Sequence, residues 1–491
     1  LLGAAACDRM VSGDERDTVP LVDSPNVNDP FWSKIRHFVA APLILLYTVG
    51  VTSRDSVIQN LILDKVCTQH FQFNDSVCNS TTTNATIQDE LQQYGVLISM
   101  ASALIQLFPG AILSLYLGPL VDQHGARNIL CLPVVGSVIA TIIYFLLVEL
   151  WPKFPVEMIL VPSVPLGLSG AKVLYTMCIF KYVAAISDRN TRSINFVVAD
   201  SVMIGSVPLG SLITRIIFER SKYAGLFSFS LGMQILSLLY IAIMPNDNPT
   251  ALDSNSTEPR CSLTNLKTSI STVLKKRPYH RTKRVMCLMG ILVIFSMTFS
   301  GVDMNIQYFF MVNVYHWTFP DYMNYITWSV SVLSLGSFLE ICLLSYCLKV
   351  HDDVIVLLGV VTRILMLMTF GLGTGLWEVY LCGSLFFFVG AAFPSIRSQI
   401  SKIVGPQDVG KVFAVVTSLE AFIPVFAVPM FTLVYRSTVD IHPGLVYYIA
   451  SASTIICLIL NISHIYLRVS GEKLKQTQVP QNSIQEDSIQ E

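Results

Sequence analysis

The chain has 491 residues, of which 53% are hydrophobic and only 13% charged, with a formal net charge of −1. Soluble domains carry about 25% charged residues, so half that supply cannot clothe a water-facing surface, and lipid must solvate much of it. The near-neutral balance excludes nucleic acid as a partner, and the cysteines, most of them inside apolar runs (Cys131, Cys178, Cys287, Cys342, Cys347, Cys382, Cys457), match no zinc spacing.

Leu1 to Arg9 precede Met10, which reads as an initiator; they lack the basic flank of a signal peptide and are set aside as leader sequence. Up to residue 34 the chain is polar and acidic, with Pro20, Pro25 and Pro30, and is expected to be a disordered cytoplasmic tail. The first apolar stretch runs from about Phe38 to Ser53, its helix continuing toward Asn60. A polar segment follows at 61–92. It carries glycosylation sequons at Asn74, Asn79 and Asn84, and beside them Cys67 and Cys78 read as a disulfide of an oxidising compartment.

Apolar spans then recur at 94–117, 128–150, 156–186, 194–218 and 222–244. A polar loop interrupts them at 245–284. Six more spans follow, at 285–313, 322–348, 354–373, 376–396, 411–435 and 444–467, before a polar tail at 468–491. Six spans, a loop and six spans predict an all-α membrane protein of two six-helix bundles, 35–244 and 285–467, with a solute site between them near the midplane.

Charge sets the topology. Arg260, Lys267, Lys275, Lys276, Arg277, Arg281, Lys283 and Arg284 crowd the central loop, and short loops of the same side add Arg127, Arg189, Arg192, Lys349, Lys402 and Lys411. Positive loops stay inside, so the central loop and both termini are expected to be cytoplasmic. The three sequons fall on the opposite side, where glycosylation happens.

Between the second and third spans lies Gly118-Pro119-Leu120-Val121-Asp122-Gln123-His124-Gly125-Ala126-Arg127. Gly118 permits close helix approach and Gly125 a tight turn. Asp122 and Arg127 can form a charge pair or cap a helix end on the partner half, latching the cytoplasmic side. The stretch resembles the major facilitator loop motif, Gly-x-x-x-Asp-x-x-Gly-x-Arg. A second stretch, Phe393-Pro394-Ser395-Ile396-Arg397-Ser398-Gln399-Ile400-Ser401-Lys402-Ile403-Val404 followed by Gly410-Lys411-Val412-Phe413, resembles the tenth-span exit of solute carrier family 46, which includes the proton-coupled folate transporter. The similarity extends from about Phe31 to Leu467. It implies the major facilitator fold, solute transport and proton coupling. It places the family's fifth-span acid at Asp200, its tenth-span arginine at Arg397 and its loop aspartate at Asp122. Ala171 and Phe299 or Ser300 stand where the folate transporter has an aspartate and a histidine, which counts against folate as the solute.

The residues reach the same place without the family. An ionisable side chain inside a span costs roughly 2.5–3.5 kcal/mol on insertion scales, so it faces a cavity or a partner. Lys172, Asp200, Asp303, Glu340, Arg363, Arg397 and Glu420 are such residues. A carboxylate in a low-dielectric cavity holds its proton more firmly than in water, which proton coupling needs. Asp200 and Glu420 sit alike in the two halves, each about two turns beyond a basic residue, Arg192 and Lys411. Arg363 has two readings, as a site for an anionic solute or as a counter-charge to Glu340 or Glu420. Lys172 reads either as an anion ligand or as a partner for an acid, Asp303 as a cavity residue, and Arg397 as cavity charge or as a side chain reaching the interface.

The sequence therefore predicts a secondary transporter that couples protons to a small organic, anionic solute, with no cofactor and no metal. The alternative is a receptor or scaffold on the same fold. An enzyme ranks last, because no metal-spaced cluster, nucleophile elbow or phosphate-binding loop appears. The expected location is the plasma or endolysosomal membrane.

Overall fold

The computed structural model describes residues 38–73, 78, 85–187, 192–246, 271–340, 348, 350–373, 375–404 and 408–487. The amino-terminal tail, Asn74, Asn79, Asn84 and most of the central loop lie outside the described residues. Lipid offers no partner to a backbone N–H or C=O, so these apolar runs must bond internally. All the described elements are helical. In chain order they are α1 (Ala41–Lys65), α2 (Ala85–His124), α3 (Ala126–Leu150), α4 (Ser163–Leu168), α5 (Ala171–Ile186) and α6 (Arg192–Ile243). The second half holds α7 (Arg281–Thr298), α8 (Gln307–Tyr315), α9 (Phe319–Glu340), α10 (Asp352–Leu372), α11 (Leu376–Leu385), α12 (Ala392–Val404), α13 (Val409–Thr438) and α14 (Leu445–Asp487).

Nine stretches among the described residues are long and apolar enough to cross a membrane. One of them, Val198–Ile243, carries two crossings, because α6 breaks at Lys222, where φ is 50°. That second crossing, with Ala41–Lys65 and Phe319–Glu340, brings the nine to twelve. Several crossings are pieced. A 3₁₀ turn, Val156–Leu160, and the junction at Gly170 divide the fourth; a π turn, Phe299–Asp303, divides the seventh; Phe386–Phe388 divides the tenth.

The observed helices outrun the apolar runs. α1 continues to Lys65 because Arg54 is accommodated inside its bundle. α14 continues through the polar tail as far as Asp487, where the sequence alone suggested only a tail. On α3, Leu132, Val135, Ile139, Ile142 and Leu146 are exposed at three- and four-residue spacing. That stripe is the lipid face, whereas Leu130, Val134 and Tyr144 are fully buried.

Lipid gives no hydrophobic drive between helices, so close packing must hold them. At Gly336 on α9 an added Cβ would meet the Phe387 backbone oxygen at 2.2 Å. The two halves meet where α2 packs on α13 and α6 packs on α9. Aromatic residues fill the second half: Phe309, Phe310, Tyr325 and Tyr447 are fully buried in one core.

Candidate functional site

Three of the intramembrane charges, Arg397, Glu420 and Asp200, come together where the two halves face each other. α12 is strongly two-sided: Ser395, Ile396, Gln399, Ile400 and Ile403 are buried, which leaves Arg397 on the open face. Arg397 Nη2 donates to both carboxyl oxygens of Glu420 on α13, each at 2.7 Å. The pair is open, with side chains 46% and 21% exposed. One nitrogen serves both oxygens, so the rest of the guanidinium fork is not used by this pair. Asp200, on α6 of the first half, is also exposed and lies within reach of the Arg397 charge. The sequence offers Arg397 as a cavity charge or as a side chain reaching the interface, and the two acids as proton carriers; the Arg397–Glu420 pairing is new from the structure.

Arg363 and Asp303 are elsewhere. They pair with each other inside the second half, at 1% and 3% side-chain exposure. Arg363 also lies over the Phe295 ring, 6.0 Å from its centre. Asp303 Oδ1 and Arg363 Nε and Nη1 are buried without a hydrogen-bond partner among the described residues. Both had been placed at the cavity by sequence, and Arg363 had been offered Glu340 or Glu420 as counter-charge. The structure instead gives Arg363 the acid at the end of the π turn, because the turn swings Asp303 inward. Glu340 is buried at the end of α9, its oxygens unbonded among the described residues. Lys172 is exposed at the start of α5, and no contact among the described residues joins it to the cleft charges.

In the loop motif, the described contacts are those of Gly125 and Arg127. Gly125 adopts φ 84° to turn the chain from α2 into α3, a conformation that favours glycine. Arg127 then reaches the end of α6. Its Nε donates to the Ile241 carbonyl at 2.9 Å and its Nη2 to the Ala242 carbonyl at 2.7 Å, while Nη1 meets Asn246. These are last-turn carbonyls without helical partners, and a cation there also suits the helix dipole. For Arg127 the helix end it caps is that of α6 in its own half; whether Asp122 pairs with it lies outside the described residues. Gly118 and Asp122 occupy the last turns of α2, and their surroundings lie outside the described residues. At the other end of the molecule, Cys67 and Cys78 form a disulfide with Cα atoms 6.0 Å apart.

Sequence reasoning missed Arg54 and Asp55. Arg54 is 2% exposed; it donates to Asp55 at 2.8 Å and to Ser137 Oγ at 2.6 Å. Asp55 is half-exposed, and one turn later Gln59 donates to the Met304 and Asn305 carbonyls of the other half. The Asp55 face of α1 thus looks across the cleft. The available signal was length: a helix entering at Ala41 needs about twenty residues to cross, which puts both residues inside the membrane.

Hydrogen bonds between the halves cluster at the disulfide end. Tyr308 donates to Asn60 Oδ1 at 2.7 Å, Gln88 to the Val312 carbonyl at 3.1 Å, and Gln93 to Asp440 at 2.7 Å. At the central-loop end, the ion pairs among the described residues include Lys402–Asp352 at 2.6 Å and Arg277–Asp408 at 3.3 Å, neither of which reaches the first half. Among the described residues, the halves are thus tied together by hydrogen bonds at the disulfide end.

A family model described as Major Facilitator Superfamily matches residues 70–428. The chain is 23% identical over 427 residues to a Drosophila melanogaster protein named probable peptidoglycan muropeptide transporter SLC46, covering 83% of this chain and 82% of that one. It is 23% identical over 432 residues to the Gallus gallus lysosomal proton-coupled steroid conjugate and bile acid symporter SLC46A3, covering 85% and 91%. In fold it is similar to the crystal structure of the human organic anion transporter MFSD10, with TM-score 0.60 and 14% identity over 87% of this chain and 99% of that one.

Proposed function

The chain belongs to the Major Facilitator Superfamily, a family of membrane transporters rather than enzymes, and on that premise we propose that it is a proton-coupled symporter of a small organic anion. The observation that carries this reading is the open Arg397–Glu420 pair facing Asp200 across the cleft. An arginine fork suits a carboxylate or sulfate, and such a solute competes with Glu420 for Arg397. Two acids and one base already leave the cleft one negative charge in excess. Adding an anion there is unfavourable unless a proton joins it on Asp200 or the displaced Glu420. Binding of anion and proton then favour each other, and the coupling is reciprocal.

The two bundles rock around this site. Closure at the disulfide end delivers solute toward the central loop, whose basic residues assign that end to the cytoplasm. Arg127 keeps the end of α6 in place as the halves move. The relatives' named solutes, steroid conjugates and bile acids among them, are organic anions of the kind the arginine would take.

The test is uptake of a labelled sulfated steroid, with folate beside it, at pH 5.5 and 7.4 in cells displaying the protein. The expected result is saturable uptake of the sulfate that rises at the lower pH and is lost in Asp200→Asn and Arg397→Ala. Uptake that ignores a protonophore and survives Asp200→Asn would remove proton coupling.

A further inference from the structure

A cavity of about 320 Å³ lies within the second half, away from the Arg397–Glu420 pair. Its walls are Arg284 of α7, Asp352 and Asp353 at the start of α10, Gln399 and Lys402 of α12, and Arg468 of α14. The membrane stretches Arg281–Asp303 and Asp352–Leu372 begin here and Leu376–Val404 ends here, which sets the cavity at the level of the lipid headgroups.

We propose that this cavity binds a terminal phosphate, carried by an anionic phospholipid or free in solution. Both sources present the same tetrahedral anion.

The charge count favours an anion. Both wall carboxylates are already paired. Lys402 Nζ donates to Asp352 Oδ2 at 2.6 Å, Ser398 donates to the same oxygen at 3.2 Å, and Asp353 Oδ2 lies 2.8 Å from Arg468 Nη1. Glu472, outside the wall, shares Arg468 at 3.9 Å. Arg284 has no carboxylate partner of its own among the described residues. Its Nε donates to His464 Nε2 at 3.4 Å, and His464 Nδ1 lies 3.5 Å from Asp353. A ring that accepts at Nε2 is the neutral tautomer with its N–H on Nδ1, so His464 does not offset the guanidinium. Arg281, whose charge also reaches Arg284, adds to it. Arg281, Arg284, Lys402 and Arg468 thus stand against Asp352, Asp353 and Glu472, which leaves one positive charge for a ligand to neutralise.

The polar groups favour phosphate among anions. Gln399 is 5% exposed and lines the cavity, yet neither its Nε2 nor its Oε1 has a hydrogen-bond partner among the described residues. Arg468 Nε is likewise buried and unbonded. Leaving such groups unmet is costly, and a ligand in the cavity can meet them. α10 also begins here with no side-chain cap from His351, and the first N–H groups of a helix attract an anion. The donors therefore come from four helices. A carboxylate has two oxygens in one plane and serves only part of such a ring. A terminal phosphate offers oxygens on every side, and when singly protonated it can also donate to Gln399 Oε1.

The test uses the full chain in lipid nanodiscs and reads binding alone. It needs neither a proton gradient nor flux, so its outcome is independent of the symport reading. In one arm the discs are phosphatidylcholine and the probe is labelled inorganic phosphate. In the other the discs contain labelled phosphatidic acid, and the lipid retained after transfer to detergent is counted. Saturable binding is expected in at least one arm, and the arm that binds identifies the source. Arg284→Gln should weaken it at least about tenfold, and Gln399→Leu at least about threefold. Gln399→Leu keeps the volume and removes only an unbonded amide, so its thermal unfolding without phosphate should not fall below that of the wild type. In the soluble arm, acetate at matched ionic strength should displace the probe at least about tenfold less readily than unlabelled phosphate. No saturable binding in either arm, binding unmoved by both variants, or displacement by acetate as readily as by phosphate overturns the site.

Discussion

The Arg363–Asp303 and Arg397–Glu420 pairs both lie within spans of the second half, and they differ in one respect that separates their roles. Arg363 and Asp303 are sealed, at 1% and 3% exposure; Arg397 and Glu420 are open, at 46% and 21%. The sealed pair cannot exchange partners with water or solute, and it ties the π turn of the seventh span to α10. The open pair can trade Glu420 for an incoming anion, and it stands opposite an acid of the other half. A charge inside a membrane signals cost, and access decides whether that cost serves packing or transport.

The sealed pair gives the largest expected effect. Removing one buried partner strands the other, so Arg363→Leu or Asp303→Leu alone should lower stability by about 3–5 kcal/mol. Replacing both, as Arg363→Met with Asp303→Leu, should restore most of the loss. Arg397→Leu, by contrast, breaks a half-open pair and should cost no more than about 1 kcal/mol. Thermal unfolding of the purified protein in detergent ranks the variants. Equal losses at Arg363 and Arg397 would erase the distinction.

Arg54 and Asp55 are the intermediate case, one partner buried and one exposed. Arg54→Lys keeps the charge but cannot hold Asp55 and Ser137 with one fork. A stability loss of about 1.5–3 kcal/mol is expected in the same unfolding series. Asp55→Asn should cost less, since water reaches that side chain. The reverse order would mean that exposure does not govern the cost of breaking these pairs.

The open pair should show its effect in flux rather than in folding. Arg397→Ala is expected to lower proton-driven uptake at least about tenfold, with Arg397→Lys between the two because the fork is lost and the charge kept. Glu420→Gln removes the internal competitor, so solute affinity should rise while the response to pH flattens. Initial rates against solute concentration at two pH values separate these outcomes. A Glu420→Gln protein with wild-type affinity and wild-type pH response would leave Glu420 no part in coupling.

Hydropathy carried the crossings because lipid solvates a continuous apolar run, and the pieced fourth, seventh and tenth spans were still read as single ones for that reason. The loop motif showed its turn at Gly125, but the partner of Arg127 is a helix end 114 positions away. Arg363 and Asp303 lie 60 positions apart, and nothing in either span's apolar pattern fixes how the helices rotate toward each other. The π turn that delivers Asp303 has no sequence mark of its own. Arg54 escaped because, although the first helix was carried past it toward Asn60, the apolar run ends at Ser53 and the polar extension was not weighed as part of the membrane crossing. A cavity at the disulfide end is lined by Asn60 and Phe218 of the first half and by Tyr308 and Phe319 of the second, so only tertiary packing assembles it.

The smallest effect tests the comparison from outside the membrane. Asp408, just before α13, bonds Lys275 and Arg277, each at 3.3 Å. Slight burial pushes its carboxyl upward, but the bonds and charges of Lys275, then Arg277, outweigh this and hold it below the ordinary value of 3.8. For an acid held low, the stabilising contribution is complete above the ordinary value and is lost only as pH falls through the lowered one. The contact is therefore intact at both pH 5.5 and pH 7.4, and it cannot supply a pH response in that range. Asp408→Asn should leave the shape of the uptake profile between those values unchanged, even if the rate falls slightly. A profile that moves with Asp408→Asn would place the proton-sensing step at the central-loop end of the second half, and the open pair with Asp200 would lose its claim to it.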